Sequence, residues 1–192
     1  MNIRKATIKD AETITDCLLM VLDNMVYKFI GEKDSGKARE FLNHFTKREN
    51  NQYSYQNCYI AENDHEIIGA INIYKGSDLW ILRKPILEYS QQHYNTNVFV
   101  EDETQAGEYY IDTLAVLNKA QGKGIGTQLL QHAIDTYVNH KKETLGLLVD
   151  ENNPKAKKLY QNLGFESVGK KVLMGHHMEH LQINKDHLQT NF

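Results

Sequence analysis

Residues 109–149 carry the pattern that most narrows what this chain can fold into. A strand-like run over 109–116 leads to the turn Gln121-Gly122-Lys123-Gly124-Ile125-Gly126-Thr127. A helix over 127–138 follows, with Leu129, Leu130, Ala133, Ile134, Tyr137 and Val138 on one face, and then a second apolar strand over 145–149. Strand, helix and strand in that order make a right-handed crossover with the two strands parallel. The turn fits neither of two glycine-rich phosphate loops. A Walker A loop needs a Lys directly after its last Gly, and a GxGxxG fingerprint counted from Gly122 or Gly124 ends on Thr127 or Leu129. Its physics is still that of an anion cradle: unpaired N–H groups at a helix start, the positive dipole end, and no Cβ to keep a pyrophosphate at a distance. A tight left-handed connection with no ligand would use the same glycines.

The rest of the chain reads as elements around that unit. Residues 3–6 suit a short strand, and 10–25 a helix with Ile14, Cys17, Leu18, Val21, Leu22 and Met25 at helical spacing. A polar turn over 31–36 precedes a helix over 37–46, and 58–61 with 67–74 form an antiparallel hairpin. Within 75–107, Leu79, Trp80, Leu82, Ile86 and Leu87 suit a helix whose first turn holds Pro85 or which Pro85 kinks. Residues 94–107 read as extended chain and loop. With 192 residues, the expectation is one domain over 1–185 and a short tail, 186–192. The balance of 22 Lys and Arg against 25 Asp and Glu removes the bulk electrostatic case for nucleic-acid binding. No apolar run approaches the length of a membrane span or a signal-peptide core, so a cytoplasmic protein is expected. Two cysteines, Cys17 and Cys58, are too few for a disulfide framework.

A second segment, 152–165, writes out both ends of a helix: Asn153 for the N-cap, Pro154 for the first turn and Gly164 for the stop. Ala156, Leu159, Tyr160 and Leu163 make its inward stripe, in which Tyr160 alone would read as a core aromatic. Taken together, the two segments closely resemble the GCN5-related N-acetyltransferase (GNAT) family. Gln121, Gly124 and Gly126 match its Q/R-x-x-G-x-G/A signature. Asn153, Ala156, Leu159, Tyr160, Gly164 and Phe165 match its N-x-x-A-x-x-L-Y-x-x-x-G-F pattern, and the opening IRKATIKDAETI is similar to the family's usual start. The resemblance implies an α/β (α+β) fold: one mixed, mostly antiparallel twisted sheet flanked by helices around the central βαβ unit. In this chain an insertion separates the third and fourth strands.

The resemblance also implies a site. Acetyl-CoA would bind where the two parallel strands splay, pairing with the backbone of Leu114, Ala115 and Val116. An N–H there, that of Val116, would hold the thioester carbonyl and stabilise the charge that develops on it. The N–H groups of Gly122, Lys123, Gly124, Ile125, Gly126 and Thr127 would cradle the pyrophosphate, with Gln121 and Ala156 in the same signatures. Asn153 and the Tyr160 hydroxyl would line the thiol's exit, and Tyr160 would protonate it. The acceptor must react as a neutral amine, so a base or a water relay is needed. Asp112 and Glu108 are the nearest carboxylates in sequence, and strand alternation puts Asp112 on one face with Leu114 and Val116. The chemistry requires no metal.

Two stretches stand outside the family pattern. Residues 75–107 could form a lid, a dimer contact or a satellite helix; dimerisation is common in the family. The tail's His176, His177 and His180 suggest either a proton relay at the acceptor pocket or plain strand positions, and no thiolate accompanies them as in many zinc sites. Charge is also segregated. No Lys or Arg falls between Lys84 and Lys119, where Glu88, Glu101, Asp102, Glu103, Glu108 and Asp112 lie, while nine Lys fall over 119–171. This suggests anionic phosphates on the basic part and a cationic acceptor at the acidic part. A small-molecule amine is the expected acceptor, with a protein amine as the other choice. A non-catalytic acyl-CoA-binding module on the same fold is the alternative function.

Overall fold

The computed structural model describes residues 1–185, so the expected tail, 186–192, lies outside the described residues. Strand β1 (Asn2–Lys5) leads into helices α1 (Ala11–Ile30) and α2 (Ser35–Thr46). Helix α1 ends where Gly31 adopts φ 74°, and α2 is capped by Asp34, whose carboxylate accepts the Lys37 N–H at 2.9 Å. A hairpin, β2 (Cys58–Asn63) and β3 (Glu66–Lys75), precedes helix α3 (Leu79–Tyr94). Pro85 is the seventh residue of α3 rather than part of its first turn. The bond it removes is the one to the Ile81 carbonyl, and Ile81 is exposed, so water can serve that carbonyl.

The crossover unit follows as read: β4 (Tyr109–Val116), α4 (Ile125–Ala133) and β5 (Leu145–Asp150), with the strands parallel. Helix α4 starts two residues earlier than its apolar spacing predicts, and the same helix widens to π geometry over Ile134–His140. Helix α5 (Pro154–Asn162) and the hairpin β6 (Glu166–Leu173) and β7 (His176–Ile183) complete the described chain. The strands form one sheet in the order β1-β2-β3-β4-β5-β7-β6, antiparallel except for β4 and β5.

Each face of the sheet is covered. Leu18, Phe29 and Phe41 from α1 and α2 meet Ile60, Ala70 and Ala115 on one side. Leu129, Leu130 and Ala133 of α4 meet Ile71, Ile73, Ile111 and Leu147 on the other. Two local features position the site. Strands β4 and β5 pair only through Tyr109↔Leu145, Tyr110↔Gly146 and Ile111↔Leu147. Beyond that point β4 stays with β3 as far as Val116 and β5 stays with β7 as far as Asp150, so a gap opens in the middle of the sheet. Secondly, Ile111 and Thr113 pair with the consecutive residues Ile73 and Asn72, which leaves Asp112 as the extra residue of a β-bulge.

The bulge corrects the alternation argument. Leu114 and Val116 pack towards α4, whereas the Asp112 carboxylate turns to the opposite face and meets Gln52 and Tyr74.

Candidate active site

The gap has donors on one wall. The Leu117 N–H donates to the Ile68 carbonyl at 2.9 Å, so antiparallel alternation points the N–H groups of Leu114 and Val116 away from β3 and into the gap. Ala115 turns its side chain into the α1 side of the core. The Gln121 side chain pins the turn to the strand end, donating to the Val116 carbonyl at 3.0 Å and to Asn118 Oδ1 at 3.1 Å.

Gly122 and Gly124 have φ 77° and 76°, the left-handed region, and Gly124 is the N-cap of α4. The Gln128 N–H closes back on Gly124, so the N–H groups of Ile125, Gly126 and Thr127 belong to the unpaired first turn. Buried Ile125 anchors that turn, Thr127 is exposed, and Lys123 lines a separate open pocket of about 410 Å³ with Ile68 and Gln128. A Cβ at Gly126 would meet Val116 only at an ordinary 3.7 Å, so packing within the chain does not require glycine there. What glycine keeps open is the space at the head of the gap, where a phosphate chain can lie against the backbone. The residues present therefore fit acetyl-CoA.

Asp112 is the first β4 residue beyond the last β4–β5 pair, at the apex of the gap. Its Oδ1 accepts from Gln52 Nε2 at 3.0 Å and lies 3.3 Å from the Tyr74 hydroxyl, while its Oδ2 accepts from Thr113 at 2.8 Å. Burial, then the nearby Glu103 carboxylate, push Asp112 up to about 6. Glu108 differs. Although its burial acts in the upward direction, donors on His180 (2.9 Å), Thr104 (2.6 Å) and Gln182 (2.7 Å) hold it below the usual carboxylate range. A carboxylate so saturated is a poor proton acceptor, and the two carboxylates are shifted in opposite directions.

Tyr160 packs edge-on to Phe165 at 5.9 Å, and burial raises its phenol further above the neutral range. The buried Tyr110 phenol is raised by burial and then by Glu103, Asp112, Glu108 and Tyr160, so the candidate groups gather around one side chain. The Asn153 side chain caps α5 through the Ala156 N–H at 3.1 Å, and Ala156 packs against the α4 side of the core.

A pocket of about 540 Å³ lies on the α1 face, between Leu22, Met25 and Lys28 of α1 and Asp150, His176 and Met178 at the ends of β5 and β7. The Tyr53 hydroxyl contacts Met25 Sδ at 3.5 Å, and Tyr53 is close enough to Asp112 for the carboxylate to raise its phenol.

The histidines separate by position. His180 is buried on Glu108, while His176 lines the pocket with Nδ1 3.1 Å from Asp150. Among the described residues, no three His, Cys, Asp or Glu side chains converge as a metal-ligand set, and no helix is long and apolar enough to cross a membrane. The acidic stretch is paired within the chain. Glu88 meets Lys84, Asp102 and Glu103 meet Arg83, and Glu101 accepts the Met174 N–H. Gln52 and Tyr74 meet Asp112, with Glu103 and its partner Arg83 behind them, and His180 meets Glu108. Apart from His180, no motif marks them, because their partners are distant in sequence.

The sequence profile of the Acetyltransferase (GNAT) family matches residues 27–165. A search of the curated proteins finds no match. Among solved structures, one described as an acetyltransferase is 30% identical with a TM-score of 0.82, covering 96% of this chain and 99% of its own. An N-acetyltransferase from Staphylococcus aureus Mu50 is 26% identical with a TM-score of 0.85, covering 95% and 100%. Mutant forms of the spermidine/spermine N-acetyltransferase SpeG from Vibrio cholerae share the fold at 19% identity and a TM-score of 0.58, covering 100% and 99%.

Proposed function

Because the chain belongs to the Acetyltransferase (GNAT) family, we propose that it transfers acetyl from acetyl-CoA directly to the primary amine of a small molecule, with Asp112 as base and Tyr160 as acid. The observation that carries this reading is the parting of β4 from β5 with Asp112 at the apex. Acetyl-CoA supplies the activated acyl carbon and the thiol leaving group. The Leu114 and Val116 N–H groups face the gap and stabilise negative charge developing on a carbonyl oxygen there. The first turn of α4 and Gly122 to Thr127 receive the phosphates.

The acceptor side is the 540 Å³ pocket, a size within the range of about 300–1,000 Å³ typical of small-molecule sites. Its apolar wall of Leu22, Met25 and Met178 offers contact to the amine's carbon skeleton. A primary amine enters as an ammonium ion and must lose a proton before it can attack. Asp112, pushed up to about 6, is ionised at neutral pH yet basic enough to take that proton, directly or through one water. Asp150 is the acidic residue lining that pocket, beside His176 and opposed there by Lys28. Tyr160, a protonated phenol, gives a proton to the departing thiolate.

The test is thiol release from acetyl-CoA across a panel of mono-, di- and polyamines, amino acids and lysine peptides at low salt. Turnover of at least one small amine, lost in Asp112→Asn, is expected. Acetyl-CoA binding with no turnover across the panel would replace this reading with a non-catalytic acyl-CoA-binding module.

A further inference from the structure

The inserted residues 75–107 carry no motif, yet they deliver two charged side chains to the back of Asp112. Arg83 of α3 and Glu103 are both buried and form an ion pair. The guanidinium also donates to the carbonyls of Val100 (3.0 Å) and Glu101 (3.3 Å) and to Asp102 Oδ1 (3.3 Å), which fixes the chain that carries Glu103. Glu103 Oε1 accepts from Gln52 Nε2 at 2.7 Å and from the Tyr74 hydroxyl at 2.8 Å. The same Gln52 nitrogen reaches Asp112 at 3.0 Å, so the two carboxylates share a donor. A buried ion pair is a weak device for stability, since a well-packed apolar pair serves as well or better. Its placement behind Asp112 gives it another use.

We propose that Arg83 and Glu103 are positioning residues of the transfer site, holding Gln52 and Tyr74 on Asp112 and setting the pH at which that carboxylate takes a proton. The inference rests on Asp112 acting as the base. The groups facing Asp112 come from several elements: Tyr53 before β2, Cys58 on β2, Tyr74 on β3, Tyr110 on β4, and Glu103 with Arg83 behind it. Burial is the first cause that pushes the three phenols well above their ordinary range and Cys58 up to about 12. None of these four ionises near neutrality, so the charges that bear on Asp112 are those of Glu103 and Arg83. A negative Glu103 disfavours a second negative charge beside it.

The experiment is the pH dependence of kcat/KM at saturating acetyl-CoA, with the best amine of the panel, for the full chain and for Glu103→Gln. The acid limb should move down by about one pH unit, the scale of one neighbouring charge, with KM for acetyl-CoA unchanged. Glu103→Gln strands the Arg83 charge, so Arg83→Met/Glu103→Gln, which removes both, is measured alongside. It should shift in the same direction by a smaller amount. An NMR titration of the Asp112 carboxyl carbon without substrate gives the same reading independently of turnover.

Acid limbs and carboxyl titrations that coincide with wild type, with Asp112→Asn inactive, would overturn the inference and leave the base assignment standing. Wild-type turnover in Asp112→Asn would overturn the base assignment and this inference with it.

Discussion

Asp112 holds stability and activity in opposition. Its folded value, about 6, lies above the ordinary 3.8, because burial and Glu103 disfavour the charged form. The cost of that charge is absent below pH about 4, grows between about 4 and 6, and is complete above 6. Asp112→Asn should therefore gain about 3 kcal/mol over wild type at pH 8 and little at pH 4, while losing turnover. Urea unfolding at the two pH values checks the sign, and a larger gain at pH 4 would contradict it. Tyr160→Phe should lower turnover about 100-fold, a typical loss for a general acid, with KM for acetyl-CoA within about twofold. Unchanged thiol release would remove Tyr160 from the mechanism. At this scale the glycine turn and Tyr160 are legible in the sequence because their geometry is local. The face that Asp112 occupies is not, because one extra residue against Asn72 and Ile73 reverses it. That register belongs to a partner strand.

Elements follow from their periodicity, and their meeting points do not. The apolar stripe of α4 is buried as its spacing predicts, and Gly164 and Asn153 end α5 as written. Nothing in the stripe marks the π-widening over Ile134–His140, because the residues buried there, Ile134, Tyr137 and Val138, are those that α-helical spacing already puts inward. The crossing of residue 108 over β5 is equally hidden. Gly146 is read as one member of an apolar strand, but a Cβ there would overlap Glu108 Oε2. Glu108 cannot retreat, since His180, Gln182 and Thr104 hold it from three sides. Gly146→Ala should cost about 3 kcal/mol by overpacking. Because Gly146 also pairs with Tyr110 at the foot of the gap, the same variant should raise KM for acetyl-CoA. Denaturant midpoints and initial rates measure the two effects separately. Retained stability would mean that the Glu108 cluster can yield.

Across the whole molecule, charge is arranged by pairing more than by segregation. The sequence pattern of acidic 88–112 against basic 119–171 suggests two opposed fields, but partners outside either stretch take several of those charges, Lys84 on Glu88, Arg83 on Glu103, Glu66 on Lys119 and Glu179 on Lys157. Pairing across distant segments leaves no trace in a linear count, which is why the acidic pattern does not single out Glu103 and its partner Arg83 behind Asp112. The same economy closes the N-terminal edge. Arg4 on β1 donates to both oxygens of Asp10 at 2.8 and 2.9 Å and to Glu62 on β2 at 3.0 Å, tying the first strand to the start of α1. The Arg4 bond first, then those from the Thr7 N–H and hydroxyl, draw Asp10 down to about 2 against the effect of burial. A carboxylate depressed in the folded state adds stability above its unfolded value, near 4, and that stability is lost as pH falls towards 2. Asp10→Asn should therefore be less stable than wild type by about 2 kcal/mol at pH 7, with the difference shrinking between about pH 4 and 2. Thermal melts from pH 7 to 2 follow it, and a gap that persists at pH 2 would assign the loss to packing rather than to the ion pair.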